Sequence, residues 1–340
     1  VSQTCSGIVY IWEIEKKQIL DSLEGIYFVT SCHDRNGFIF ASKEGYIYHW
    51  NENTGLCSDS IKVPRGRVSS YHPDTKRMIS NVSDTINIWN FDSTHHVKML
   101  RGHNTKLTIS SATYNSSDGN KIISSSYDGT IRIWDAVSGR CIDSIVARYG
   151  QRIEYAEFSP DGSKIVSGSF SGQLCLLDAL SGDTIWTTSK FFGTLKPTFS
   201  PDGKRIITAG MNKNILIWDA DSGKCIDSLI GHTHWVGAAK FSPNGRKIVS
   251  SGDTTTRIWD AITGDCIDTI KGSFGDCSFS PKGDIIIAYG YSTMHLWNAK
   301  TKKRLITIRG EKQISSVSFS PEAKQIVSAT WNGIIRIWDV

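Results

Sequence analysis

The sequence has no long apolar run. Its longest aliphatic stretch, IIIAYGY from Ile285 to Tyr291, falls far short of the ~20 residues a membrane-spanning helix needs. No basic segment followed by an apolar one stands at the start, which is Val1 rather than Met, so no signal-peptide pattern is visible. There is no Cys-x-x-Cys pair, which argues against a zinc ribbon or a thioredoxin-type site. A phosphate loop ending in Gly-Lys-Ser/Thr and a dinucleotide fingerprint are both missing. Dense Lys/Arg runs are missing too. A net charge of +5 over 340 residues argues against a dedicated nucleic-acid module and is compatible with an acidic partner.

What is present is a soluble globular composition, 39% apolar and 21% charged. Four of the eight cysteines, Cys57, Cys141, Cys225 and Cys266, each lie seven residues after a tryptophan (Trp50, Trp134, Trp218, Trp259). They occupy one equivalent position in successive units, and their size suits small buried residues. Reduced thiols fit a cytoplasmic setting.

Those tryptophans mark a repeat. Segments of the form Ile-x-Ile-Trp-Asp/Asn end at Trp12, Trp50, Trp89, Trp134, Trp218, Trp259, Trp297 and Trp338, with Leu177 at the missing place. The nine markers are spaced 38, 39, 45, 43, 41, 41, 38 and 41 residues apart. Within one unit, RIEYAEF (152–158), SKIVSGS (163–169), LCLLDA (174–179) and TIWTTSK (184–190) read as four strands. Ser-Pro-Asp-Gly, Phe-Ser-Gly-Gln and Leu-Ser-Gly-Asp separate them. Short β-rich runs divided by such turn residues predict antiparallel hairpins.

This period, ending in Trp-Asp, resembles the WD-repeat β-propeller family over essentially the whole chain. The resemblance implies an all-β fold of four-stranded blades in a ring, strands a to d, with strand d of each repeat closing one blade and the next a, b and c opening the following one. Counting gives 34 strands: three before the first complete unit, seven complete units, and three after. The expectation is one propeller over residues 1–340 with eight blades of four antiparallel strands. In this reading strand d near Gln18 to Leu23 completes the last blade, and residues 1–14 are a surplus partial repeat, a scar of excision. Seven blades, nine blades, or a piece of a longer repeat array are the alternatives.

The family also implies a polar tetrad bracing each blade. His103, Ser124, Asp128 and Trp134 carry it in register; His232, Ser250, Asp253 and Trp259 come close, with a turn one residue short. Elsewhere the histidine is absent, and those blades are expected to rely more on apolar packing. A Trp-linked His–Asp pair without a nucleophile reads as bracing, not catalysis.

Candidate partner-binding residues gather at the rim that the resemblance assigns to d–a loops and b–c turns. Tyr127, Phe170, Met211 and Trp331 fall at one equivalent b–c position, where polar residues would be cheaper. Trp235 adds an aromatic from a d–a loop. Arg65, Arg67, Arg101, Lys106, Arg148, Arg152, Lys190 and Lys196 bring positive charge to the same loops. The opposite turns look generic. An apolar patch ringed by arginine suits a protein or peptide partner, acidic or phosphorylated. No cofactor, metal site or catalytic residue is expected. Cys32-His33-Asp34 cannot converge from adjacent positions, and His95-His96 lack a third ligand. The function expected is a non-catalytic interaction scaffold, one docking segment of a longer regulatory protein. The alternatives are an enzyme with its site in the central channel, or nucleic-acid binding through the basic loops.

Overall fold

The computed structural model describes residues 2–340 apart from 4–7, 14–17, 25, 33–36, 43–45, 52–56, 63–66, 73–74, 91–94, 105, 116, 147–151, 189–195, 212, 273–274, 291–292, 310–312 and 331–334; side chains at 2–32, 57–61, 67–69 and 95–97 are likewise outside the description. The described secondary structure is all β. Among the described residues, thirty-four strands form nine antiparallel sheets. The first has three strands, β1–β3 (2–24). Seven four-stranded sheets follow: β4–β7 (26–62), β8–β11 (67–101), β12–β15 (109–146), β16–β19 (153–187), β20–β23 (196–229), β24–β27 (236–271) and β28–β31 (276–309). The last, β32–β34 (314–339), has three. We number the sheets from β4–β7 to β32–β34 as blades 1 to 8.

The residue pattern explains the layering. In blade 3, β13 (Lys121–Ser126) is buried from its second residue on, because it is sandwiched on both faces. In β14 (Thr130–Asp135), Ile131, Ile133 and Trp134 are buried. Such β-branched and aromatic residues fill both faces only where a neighbouring sheet covers them. Ile79, Ile86 and Ile88 of blade 2 pack with Ile109, Tyr114, Ile122 and Trp134 of blade 3 in one apolar cluster. Comparable clusters join blades 3–4, 4–5, 5–6, 6–7 and 7–8.

A final cluster closes the ring. Phe38, Phe40 and Trp50 of blade 1 pack against Val327, Ala329, Ile335 and Ile337 of blade 8, and β32 (Ile314–Phe319) runs beside β4 (Ile26–Cys32). Closure therefore rests on side-chain packing. The expected fourth strand of blade 8 is not in place. β3 (Gln18–Glu24) pairs with β2 (Ile8–Glu13), from Ile8↔Glu24 to Glu13↔Gln18. It keeps the register break before Trp12 that other blades show before their strand-c tryptophan. A hairpin four residues long closes at far lower entropic cost than a pairing across the whole ring, and the local pairing holds β3. The β1–β3 sheet lies beside β34 (Ile335–Asp339).

The a–b turns follow simple chemistry. In Ser200-Pro201-Asp202-Gly203, Gly203 takes φ +69° and its N–H donates to the Ser200 carbonyl at 2.8 Å. Blade 8 places Ala323 in the same left-handed conformation, φ +57°.

Strand d corrects one expectation. Cys141, Cys225 and Cys266 are exposed, not buried. Each pairs with the strand-c tryptophan (Trp134, Trp218, Trp259) from the outermost strand of its blade, where no further layer covers it. Cys57 lies in β7 (Cys57–Lys62), outside the described side chains. Buried Cys277 belongs to a different position, in strand a of blade 7.

Candidate functional site

Antiparallel order puts a–b and c–d turns at one end of every blade and b–c turns and d–a loops at the other. The second end carries the tetrads. In blade 3, Trp134 Nε1 donates to Ser124 Oγ at 2.8 Å, Ser124 Oγ meets His103 Nε2 at 2.7 Å, and His103 Nδ1 meets Asp128 Oδ2 at 3.0 Å. A carboxylate only accepts, so Nδ1 carries the proton; in the neutral ring Nε2 is then bare and Ser124 donates to it. The chain of donors runs from Trp134 to Ser124 to His103, and His103 donates on to Asp128. Burial pushes the His103 pKa down, with Asp128 opposing it. Burial works to raise the Asp128 pKa, but hydrogen bonds from Thr130, Asn104 and His103 hold it down at about 2.

Blade 6 repeats the network despite its short turn. His232 Nδ1 lies 2.7 Å from Asp253 Oδ1, His232 Nε2 lies 2.8 Å from Ser250 Oγ, and Trp259 Nε1 donates to Ser250 Oγ at 2.8 Å. Asp253 and Thr254 both adopt positive φ, +44° and +68°. That is the two-residue hairpin geometry of a type I′ turn, and it returns Asp253 to the histidine. The tryptophan half of the tetrad persists where the histidine is missing: Trp89 donates to Ser80 (2.9 Å), Trp218 to Thr208 (3.0 Å) and Trp338 to Ser328 (3.3 Å). Those blades keep this one polar bond beside their apolar packing.

Three of the large apolar residues expected at this rim stand in solvent. Phe170 is 54% exposed, Met211 53% and Trp235 68%, and they belong to blades 4 and 5 and the loop entering blade 6. Tyr127 differs. It is half-buried, with the Arg152 guanidinium 5.4 Å over its ring, so it serves as a seat for Arg152. The Phe170 N–H donates to the Arg152 carbonyl at 3.0 Å, which fixes Phe170 beside that pair. Arg101, Lys106, Arg152, Lys196 and Lys213 are exposed at the same end. Trp331, Arg65, Arg148 and Lys190 lie outside the described residues, and Arg67 is described only as the first residue of β8 (Arg67–His72).

The opposite rim is less plain than its turn sequences suggest. Val137, Leu180 and Ile262 are well exposed on c–d turns of blades 3, 4 and 6. Each donates its N–H to the preceding strand-end carboxylate, Asp135, Asp178 or Asp260. Blade 5 places Asp221, paired with Lys164, at that position. Blade 5 therefore sets Ile262 apart from Val137 and Leu180, which stand on neighbouring blades, and exposed aliphatics in such small numbers are ordinary.

Strand a contributes a polar group that the sequence reading missed. The Tyr155 hydroxyl donates to Glu157 Oε2 at 3.0 Å. Burial pushes the Glu157 carboxyl up to about 7, against Tyr155 and Lys240. Two blades on, Lys240 Nζ stands 3.7 Å from Asp276 Oδ1, and the Tyr289 hydroxyl donates to Asp276 Oδ2 at 3.0 Å. The signal lay in the position before the strand-a aromatic: Glu157 and Lys240 stand where sister blades have Thr198, Ser278 and Ser318. Among the described residues, no hydroxyl or thiol besides Tyr155 and Tyr289 hydrogen-bonds to Glu157 or Asp276, and no group of three His, Cys, Asp or Glu side chains could hold a metal. Among the described residues no helix is long and apolar enough to cross a membrane.

Comparison with known proteins agrees with this architecture. The family described as WD domain, G-beta repeat matches residues 94–135, 191–219, 223–260 and 302–339. The chain is 29% identical over 135 residues to the nuclear distribution protein PAC1 of Candida tropicalis, covering 36% of this chain and 26% of that protein. It is 31% identical over 110 residues to the U3 small nucleolar RNA-associated protein 21 homolog of Schizosaccharomyces pombe, covering 32% and 12%. With the WD repeat-containing protein 18 of Bos taurus it shares 25% over 143 residues, 41% of this chain and 26% of that protein. The matches thus span at most about a quarter of each relative's length. WD-repeat proteins generally serve as protein-interaction scaffolds and are generally not enzymes. Its Trp-Asp repeats, its four-stranded blades and its two His–Ser–Trp–Asp tetrads place this chain in the WD-repeat family.

Proposed function

We propose that the chain is a docking platform that takes an acidic protein segment across the rim of blades 3 to 6. The observation that carries this is the row of exposed Phe170, Met211 and Trp235 on one rim. Large exposed side chains set side by side are costly in water and supply the anchors of an interface. Exposed Arg101, Lys106, Arg152, Lys196 and Lys213 flank them. The described b–c turn carboxylates Asp84, Asp128 and Asp253 keep their charge, and these five exposed cations outnumber them. Arg152 adds a planar fork suited to carboxylate or phosphate. We take residues 1–340 to act as one such platform within a longer protein, in line with the short spans shared with its relatives. Free thiols at Cys141, Cys225 and Cys266 suit a reducing cytoplasm.

The test is a pull-down with wild type and a Phe170→Ser/Met211→Ser/Trp235→Ser variant, scored by quantitative mass spectrometry. Loss of a defined partner subset is expected. Recovered partners should elute with rising salt and be displaced by an acidic peptide. An unchanged partner set would overturn the rim assignment, and displacement by DNA but not by acidic peptide would favour nucleic acid.

A further inference from the structure

The channel offers a site independent of the docking rim. At its a–b end a recess of about 470 Å³ spans blades 5 to 8. Pockets of a few hundred Å³, mostly apolar with a few placed polar groups, are the usual form of a small-molecule site. Here the edges of Phe199, Phe241, Phe279 and Phe319 and the turn prolines make the apolar part, while Thr198 and Ser278 bring hydroxyls.

The recess has one cation and no acid among its lining residues. That cation is Lys240. Its nearest carboxylate, Asp276, is at 3.7 Å, beyond good hydrogen-bond distance. Asp276 is occupied on both oxygens: Oδ1 accepts the Cys277 N–H at 2.7 Å and Oδ2 the Tyr289 hydroxyl at 3.0 Å. Asp276 therefore orients the ammonium electrostatically without using its donors. The Lys240 side chain remains 45% exposed, with N–H groups free to turn toward a guest. The Lys240–Asp276 pair is close to neutral in sum. Lys240 lines the recess and Asp276 does not, so an anionic head in the recess meets the ammonium at closer range than the carboxylate and is drawn to it.

From this arrangement we infer that the recess binds a small organic anion with an apolar body, its head on Lys240 and its body against the phenylalanine edges. The site serves a low-molecular-weight ligand and lies at the end of the channel opposite Phe170, Met211 and Trp235.

The probes are 4-phenylbutyrate, its neutral analogue 4-phenylbutyramide, and the dianion phenyl phosphate, followed by ligand-observed NMR on the whole chain. In wild type, 4-phenylbutyrate and phenyl phosphate each bind at least tenfold tighter than the amide. Lys240→Gln removes that preference and Lys240→Arg keeps it; matching near-UV circular dichroism confirms that both variants fold. Ser278→Trp fills the recess and abolishes binding of all three probes, whereas Trp235→Ala leaves binding unchanged. Acid and amide binding alike, Lys240→Gln binding as wild type, or no binding of any probe would each overturn the inference.

Discussion

Ser124→Ala is the sharpest probe of the tetrad. Ser124 is fully buried and its Oγ serves two partners, accepting from Trp134 Nε1 at 2.8 Å and donating to His103 Nε2 at 2.7 Å. Removing Oγ strands both partners in the core. A buried polar group left unsatisfied costs ~1–3 kcal/mol. The expected loss for Ser124→Ala is therefore ~2–4 kcal/mol, the two costs partly shared through relaxation. Thr208→Val is the control. Thr208 Oγ1 accepts from Trp218 Nε1 at 3.0 Å, and its blade has no histidine in the network, so one bond is lost at ~1–2 kcal/mol. Urea unfolding followed by far-UV circular dichroism gives the global loss. Hydrogen exchange of the β13 and β14 amides shows whether the loss is local to blade 3. If Ser124→Ala costs no more than Thr208→Val, or if its exchange is unchanged in blade 3, the relay from Trp134 through His103 is not a working brace.

Other outcomes follow from the same coordinates. Ala323→Gly should stabilise the protein by ~0.5–1 kcal/mol, because Ala323 sits at φ +57° where the sister turn uses Gly203; a lower thermal midpoint would refute this. Burial lowers the pKa of His103 and His232, so below the ordinary histidine pKa of about 6.5 the unfolded chain binds more protons than the folded one. The stability from the neutral rings is full above that pH and is lost as pH falls through it, and a His103→Gln/His232→Gln variant should show a flatter midpoint between pH 7 and 5.5. Asp128, held at about 2, adds a second loss only below about pH 4, from its unfolded value of about 3.9 downward. Finally, N-ethylmaleimide should label Cys141, Cys225 and Cys266 in the native protein and spare Cys277. Burial, then neighbouring Asp276, pushes the Cys277 thiol up to about 12; native labelling of Cys277 mapped by mass spectrometry would contradict its placement.

Most of the architecture was legible from the chain because repeats are local chemistry. Ile-x-Ile-Trp-Asp specifies a strand buried on both faces, and Ser-Pro-Asp-Gly specifies a turn through the proline φ and the glycine αL conformation. The strand count of 34 and its division into three, seven fours and three followed from those signals and match the sheets. One tetrad was readable as residues in register and the other as a near match one residue short, and Phe170, Met211 and Trp235 as large side chains in turns.

What the tertiary structure decided depends on neighbours far away in the chain. Whether β3 joins β2 or β34 is a competition between two similar strand-c sequences, settled by the short loop to β2. Cys141 and its equivalents looked buried by composition but lie on the outer strand, beyond which no layer packs. Tyr127 looked like its exposed counterparts until Arg152 of the next blade covered it. Glu157, Lys240 and Asp276 come from three separate repeats, and only the closed ring turns them toward one channel. Period and turn type depend on residues a few positions apart; pairing partner, exposure and electrostatic company depend on how the ring closes.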